Sequence, residues 1–352
     1  MISLYIAMHF LISTPYNIAS ITKKELKFLW YPQSQVLAPT MIKLEADVSA
    51  IYRINLWCRT ANKCYMIIWE HDISTFDQLF ETIKACPWSQ YITSWQKIHI
   101  TANTIDSLLY SEPAIQSISK KAVIDSLWWS DESWSICWIH ITVIKNHCYI
   151  LLNTSWESLH RRWYRIAWDA PIKENIAAAL VLDTQRWYNT ILRDPMCGSG
   201  TIMIEAAMIA KNIAPWLTRS FALPASFDEM DSYRQIAKDQ TITKSHTIIW
   251  SDRDPSMISL AAQNATRAWV ECTWEVRDIS DMPSDMGTLI TNPPYGKRLQ
   301  WPDLKQTYDS LIWWFEAWRR GWFVSSYDMP MTDRSTRKLF NWADEVTWYK
   351  VT

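Results

Sequence analysis

The sequence predicts an α/β protein in two parts, an N-terminal α+β region followed by a doubly wound parallel sheet. Three observations carry this. From Thr190 onward, short apolar runs alternate with helical patterns, at Ile191 to Asp194, Thr247 to Asp252, Glu275 to Asp278, Thr288 to Asn292 and Trp322 to Ser326. Strands separated in this way by helices are the mark of a parallel sheet covered on both faces. The first of these strands enters Asp194-Pro195-Met196-Cys197-Gly198-Ser199-Gly200-Thr201, a glycine loop that leads into an apolar helix. Upstream of about residue 155, strands and helices alternate without such a loop, which suits a binding module better than a catalytic one.

The N-terminal elements follow in order. A strand at Ser3 to His9 leads into an amphipathic helix at Tyr16 to Leu29, then a strand near Met41 to Leu44. Asp47 is placed to cap a helix running through Asn55 to about Thr60. Strands at Cys64 to Ile68, Lys97 to Thr101, Cys137 to Ile144 and Cys148 to Asn153 are interleaved with helices at Phe76 to Ala85 and Pro113 to Leu127. Between about 155 and 185 lies a junction. It carries Leu159-His160-Arg161-Arg162-Trp163-Tyr164-Arg165, then Ala170-Pro171-Ile172-Lys173-Glu174, and opens a helix at Ile176 to Leu182.

A length of 352 residues accommodates two domains or three small ones. The net charge of -1 gives no global basic footprint, so contact with nucleic acid must come from local patches. Seven cysteines without a Cys-x-x-Cys pair fit reduced thiols. The apolar start, Met1 to Ile12, lacks a cationic leader, and no apolar run is long enough to span a membrane. The expectation is a soluble cytoplasmic protein, and the seven histidines show no metal-ligand spacing.

One anomaly stands out: 24 Trp against 5 Gly, when glycine ordinarily makes up about 7% of residues. Trp30 follows a helical run where a glycine C-cap is expected, and Trp342 follows Asn341 where Asn-Gly would make a hairpin turn. We therefore expect many of these tryptophans to stand for glycine, through a reassigned stop codon in the coding sequence.

The chemistry is carried by the strand ends. Gly198 and Gly200 let the backbone approach a ligand closely, with Cys197 and Ser199 beside them, and Asp194 can accept from a ligand ammonium. Asp252, at the end of the second strand, is placed for ribose hydroxyls, and Asp278, at the end of the third, for an adenine amino group. Asp254 before Pro255 is more simply a helix cap. The missing Gly-Lys-Ser/Thr ending argues against a P-loop. After the fourth strand comes Asn292-Pro293-Pro294-Tyr295. The Asn292 side-chain oxygen and the Pro293 carbonyl can hold the hydrogens of a conjugated amine, the prolines fix that geometry, and Tyr295 can stack on a base swung out of its helix. The whole points to S-adenosylmethionine as cofactor and a planar amine as acceptor. Lys297 and Arg298, and separately Arg161, Arg162 and Arg165, are candidate phosphate contacts.

With these motifs in place, the chain resembles the RlmL-type THUMP-containing methyltransferases, which modify the guanine N2 amine of 23S ribosomal RNA. The resemblance rests on Asp194 to Pro215, on the junction motifs, and on Asn292-Pro293-Pro294-Tyr295-Gly296. It implies a ferredoxin-like region at 1–50, a THUMP RNA-binding domain at 51–155 and a Rossmann-like class I methyltransferase domain at 156–352. It implies cofactor roles for Asp194, Gly198, Gly200, Asp252 and Asp278, and base-binding roles for Asn292, Pro293 and Tyr295. Where the family has glycine, this chain shows Trp156, Trp163, Trp168, Trp216 and Trp250; a real Trp250 is expected to crowd the ribose rim. Transfer RNA guanine methylation, glutamine methylation and an inactive RNA-binding module are the rival readings.

Overall fold

Hydrophobic alternation resolves into two seven-stranded sheets in the computed structural model. The structure describes residues 7–92, 96–127, 135–166, 172–184, 190–224, 227–243, 246–283, 287–294, 303–318, 321–327, 334–342 and 344–351.

The first sheet comprises β1 (Met8–Ser13), β2 (Gln35–Ala38), β3 (Met41–Ala46), β4 (Lys63–Asp72), β5 (Gln96–Ile105), β6 (Ser135–Ile144) and β7 (His147–Asn153), in the order β2-β3-β1-β4-β7-β6-β5. Its helices are α1 (Ala19–Phe28), α2 (Ser49–Trp57), α3 (Phe76–Lys84) and α4 (Glu112–Leu127). The strand expected from Ser3 is described from Met8 to Ser13, and Ser3 to Ile6 lie outside the described residues. β1 pairs with both β3 and β4, so Phe10, Leu11 and Ile12 are buried in succession, and a run buried on both faces gives no alternation to mark its limits. β6 and β7 meet at a two-residue turn, Lys145 and Asn146, both left-handed (φ 51° and 66°), which suits the twist of a tight hairpin. α4 separates β5 from β6, and these two strands are parallel. Asp47 accepts from the Ser49 amide at 2.8 Å, which starts α2, and Thr75 and Gln78 form a reciprocal capping box at the start of α3.

The second sheet comprises β8 (Ile191–Asp194), β9 (Ile248–Asp252), β10 (Thr273–Val276), β11 (Gly287–Thr291), β12 (Gly321–Ser325), β13 (Arg334–Asn341) and β14 (Asp344–Val351). Its order is β10-β9-β8-β11-β12-β14-β13. The first five strands are parallel, as expected; the β13–β14 hairpin adds an antiparallel edge, with β14 beside β12. Helices α5 (Glu174–Asp183), α6 (Thr201–Ala210), α7 (Met230–Asp239), α8 (Pro255–Arg267) and α9 (Asp303–Trp318) accompany it. From β8 the strand order runs one way to β9 and the other way to β11. The chain therefore reverses beside β8, where α/β sheets open a crevice at their carboxyl ends.

The two halves interlock. Ile18 and Ile21 at the start of α1 belong to the core of the second sheet, and Trp216 and Met230 to that of the first. β1 to β7 form one sheet on both sides of residue 50, which itself lies within α2.

Among the described residues, four tryptophans lie in the left-handed region: Trp30 (φ 75°), Trp156 (63°), Trp269 (58°) and Trp342 (61°). At two of them the cause is helix termination. The Tyr31 amide donates to the Leu26 carbonyl at 2.8 Å after α1, and the Val270 amide to the Ala265 carbonyl at 3.1 Å after α8. That six-residue closure needs a left-handed residue just past the helix, a place glycine fills at least steric cost.

Candidate active site

Between β8 and α6 the chain turns on Gly198 (φ 50°) and Gly200 (φ 81°). A β-carbon on Gly200 would lie 2.4 Å from the Trp250 ring, so both backbone angle and space exclude a side chain there. The loop forms one wall of a cavity of about 400 Å³ at the switch point, a volume typical of small-molecule sites. Asp194, Cys197, Gly198 and Ser199 line that wall; Asp252, Asp278, Asn292 and Pro294 complete the rim. The structure thus brings together the strand-end acids, the glycine loop and the start of the tetrapeptide, which the sequence holds about a hundred residues apart.

Each acid is held differently. Asp252 accepts from the Gly198 amide at 3.0 Å and from the Asp254 amide at 3.0 Å, which ties the loop to the end of β9. Asp254 accepts from the Ser256 amide at 2.8 Å and caps α8. Asp278 accepts from the amide and hydroxyl of Ser280, at 3.0 and 2.9 Å. Asp194 is buried and accepts from the Thr291 hydroxyl at 2.7 Å and the Met196 amide at 3.2 Å. Burial pushes its carboxyl up to about 7 against the opposing pull of those bonds, and burial raises Asp252 as well. The Cys197 thiol is held well above its ordinary value by burial and by the neighbouring Asp194 and Asp252, so it lines the cavity as a protonated thiol.

Thr291 was not visible as a functional residue in the sequence. Its hydroxyl bonds Asp194 one residue before Asn292, and so fixes the cofactor loop against the tetrapeptide. Tyr308 of α9 donates to the Pro294 carbonyl at 3.2 Å and shares a 2.8 Å bond with Ser325, which steadies the tetrapeptide from its other side. The Asn292 side-chain oxygen is buried and accepts no hydrogen bond from the described residues. Pro293 is buried and is not among the residues lining the cavity. Tyr295, Lys297 and Arg298 lie outside the described residues.

Two expectations need correction. Arg162 does not face solvent: it is buried, its Nε donates to Glu205 at 3.0 Å, and its Nη2 donates to the Arg59 carbonyl at 2.7 Å. Arg165 is largely covered, paired with Glu174 at 3.1 Å and donating to the Ile172 carbonyl at 2.7 Å. Of the three junction arginines, Arg161 is the exposed one. Arginines spaced by aromatics look alike in sequence whether they meet phosphate or a distant buried carboxylate. Trp250, expected to crowd the ribose rim, instead turns into the core, fully buried, with its ring 4.7 Å from that of Trp274.

Three carboxylates at successive strand ends, a loop with no room for a side chain and a buried acceptor fit a ligand with an ammonium, a ribose diol and an adenine amine. A model of the RMKL-like methyltransferase domain matches residues 161–343, a THUMP-domain model 74–153, and an RlmL ferredoxin-like-domain model 9–65. The chain belongs to the RMKL-like methyltransferase family. Among its relatives is YpsC of Bacillus subtilis (strain 168), a candidate RNA methyltransferase, 32% identical over 96% of this chain and 94% of that one. Another is the ribosomal RNA large subunit methyltransferase K/L of Syntrophotalea carbinolica, 32% identical over 76% of this chain. The chain spans about half the length of the K/L relatives, between 42% and 52% of each. Among solved structures, SMU.472, a candidate methyltransferase complexed with SAH (S-adenosylhomocysteine), superposes with a TM-score of 0.86 at 28% identity, over 98% of both chains. As in this family, the cofactor is S-adenosylmethionine.

Proposed function

We propose that this methyltransferase acts on RNA and transfers its methyl group to the exocyclic N2 amine of a guanine in 23S ribosomal RNA. The observation that carries the reading is the Asn292 side-chain oxygen, an acceptor buried at the cavity rim with no donor among the described residues. A buried acceptor left unpaired costs about 1–3 kcal/mol, so its retention suits a group that receives its donor from the substrate. The THUMP match and the RNA-directed names of YpsC and the K/L proteins support RNA as the substrate class.

Bound S-adenosylmethionine supplies a methyl group on a sulfonium sulfur, open to attack by an amine nitrogen. The protein's part is to present that nitrogen. Asn292 and the Pro293 carbonyl accept its two hydrogens, which turns the lone pair out of conjugation with the ring; as the nitrogen–carbon bond forms, the carbon–sulfur bond breaks and one amine proton passes to water. In this reading Asp194 takes the cofactor ammonium, Asp252 the ribose and Asp278 the adenine amine. Tyr295 stacks on the flipped base, while Arg161, Lys297 and Arg298 meet phosphates. In this reading regions 1–50 and 51–155 hold the RNA and 156–352 carries out the transfer.

The test is mass mapping of nucleosides in 23S ribosomal RNA and transfer RNA from cells with and without the protein. One N2-methylguanosine is expected to disappear from 23S RNA. Its loss from transfer RNA instead overturns the ribosomal target, and no loss from either overturns guanine N2 methylation.

A further inference from the structure

The wall of the cofactor cavity is fixed from behind by residues that do not line it. Asn264 lies in α8 and is 1% exposed. Asparagine is a weak helix former, and burying its amide is unfavourable unless both ends are paired. Here both are. Its Nδ2 donates to the Ser199 carbonyl at 3.0 Å, and its Oδ1 accepts from the Ile166 amide at 2.9 Å. Ser199 sits between the two left-handed glycines, where no regular ladder holds the backbone.

A second tie reaches the loop one residue beyond Gly200. Arg165 donates from Nη2 to the Thr201 hydroxyl at 3.3 Å and is itself held by Glu174. Ile166 and Arg165 are adjacent in the junction. Two consecutive junction residues therefore brace both sides of Gly200, one directly and one through α8.

We propose that Asn264 and Arg165 are positioning residues, which set the conformation of the glycine loop that receives the cofactor. Neither touches the cavity, so their effect passes through Ser199 and Thr201. Loop bracing then acts on cofactor affinity and leaves RNA affinity alone. The inference rests on the cofactor site and is independent of which RNA is methylated.

The experiment is calorimetry of S-adenosylhomocysteine with Asn264→Ala, Arg165→Ala and Arg165→Lys, beside steady-state KM values for S-adenosylmethionine and for RNA. Asn264→Ala and Arg165→Ala are expected to weaken S-adenosylhomocysteine about tenfold each, the equivalent of one hydrogen bond. KM for S-adenosylmethionine is expected to rise while KM for RNA stays constant. Arg165→Lys, which keeps a cationic donor, is expected to recover part of the loss. Wild-type affinity in Asn264→Ala overturns the proposal, as does a KM increase shared equally by both substrates. Should Asn264→Ala fail to fold, the Arg165 pair decides: unchanged affinity in Arg165→Ala, or no recovery by Arg165→Lys, overturns it. Because the binding arm uses no RNA, a mistaken RNA target leaves its outcome intact.

Discussion

At the scale of the residue, Asp194 is the clearest link between fold and ligand. Its carboxyl has no cation beside it among the described residues, and burial pushes it from its ordinary value of 3.8 up to about 7. A raised folded value means that the protonated form stabilises the free protein. That contribution is fully present below about pH 4 and is lost as pH rises through about 7. A cofactor ammonium next to the carboxylate reverses the preference and draws the proton off. S-adenosylhomocysteine binding at pH 6 is therefore expected to release protons, and its affinity to rise between pH 6 and 8. Calorimetry in two buffers of different ionisation enthalpy measures this directly; proton uptake, or an affinity that falls over that range, contradicts the ammonium assignment. Asp194, Asp252 and Asp278 were legible in sequence because a strand end fixes where a side chain points. Thr291, Asn264 and Glu205 were not, since each is defined by a partner remote in the chain.

At the scale of the element, the ends of helices and hairpins carry the sequence's oddity. An L-residue in the left-handed conformation costs roughly 1–2 kcal/mol, which glycine avoids. Trp30 is 82% exposed, so its ring returns little by packing, whereas Trp156, Trp269 and Trp342 are about half covered. Replacing Trp30 with glycine is expected to raise the free energy of unfolding by about 1 kcal/mol, as read by urea denaturation. A loss of stability on that replacement counts against glycine as the intended residue, and so does a coding sequence in which all 24 tryptophan codons are UGG. The order of β8 to β12 was legible, because these strands alternate with helices in a fixed rhythm. The limits of β1 and the placement of β14 were not. The first is buried on both faces, and the second depends on an antiparallel return to β12 that local pattern does not encode.

At the scale of the molecule, the two sheets are joined by a buried ionic cluster. Arg162, Tyr164 and Glu205 bond within the catalytic half, and Arg162 reaches across to the Arg59 carbonyl. Removing one member of such a cluster leaves an uncompensated buried charge, at a cost of about 3–5 kcal/mol. Arg162→Ala is expected to lose that much in urea denaturation, while Arg161→Ala on the exposed surface leaves stability within about 0.5 kcal/mol of wild type. Equal effects contradict the assignment of Arg162 to the junction. The union of a THUMP module with a methyltransferase domain was legible from motifs alone; the bolt between them was not, because its carboxylate, Glu205, reads in sequence as part of an apolar helix. In the proposed reaction Asn292 presents the target amine to a cofactor bound independently of it. Single-turnover methyl transfer to 23S RNA by Asn292→Ala, beside S-adenosylhomocysteine calorimetry on the same variant, tests it most directly. Transfer is expected to fall by about a hundredfold or more with cofactor affinity unchanged; turnover near that of the wild type contradicts it.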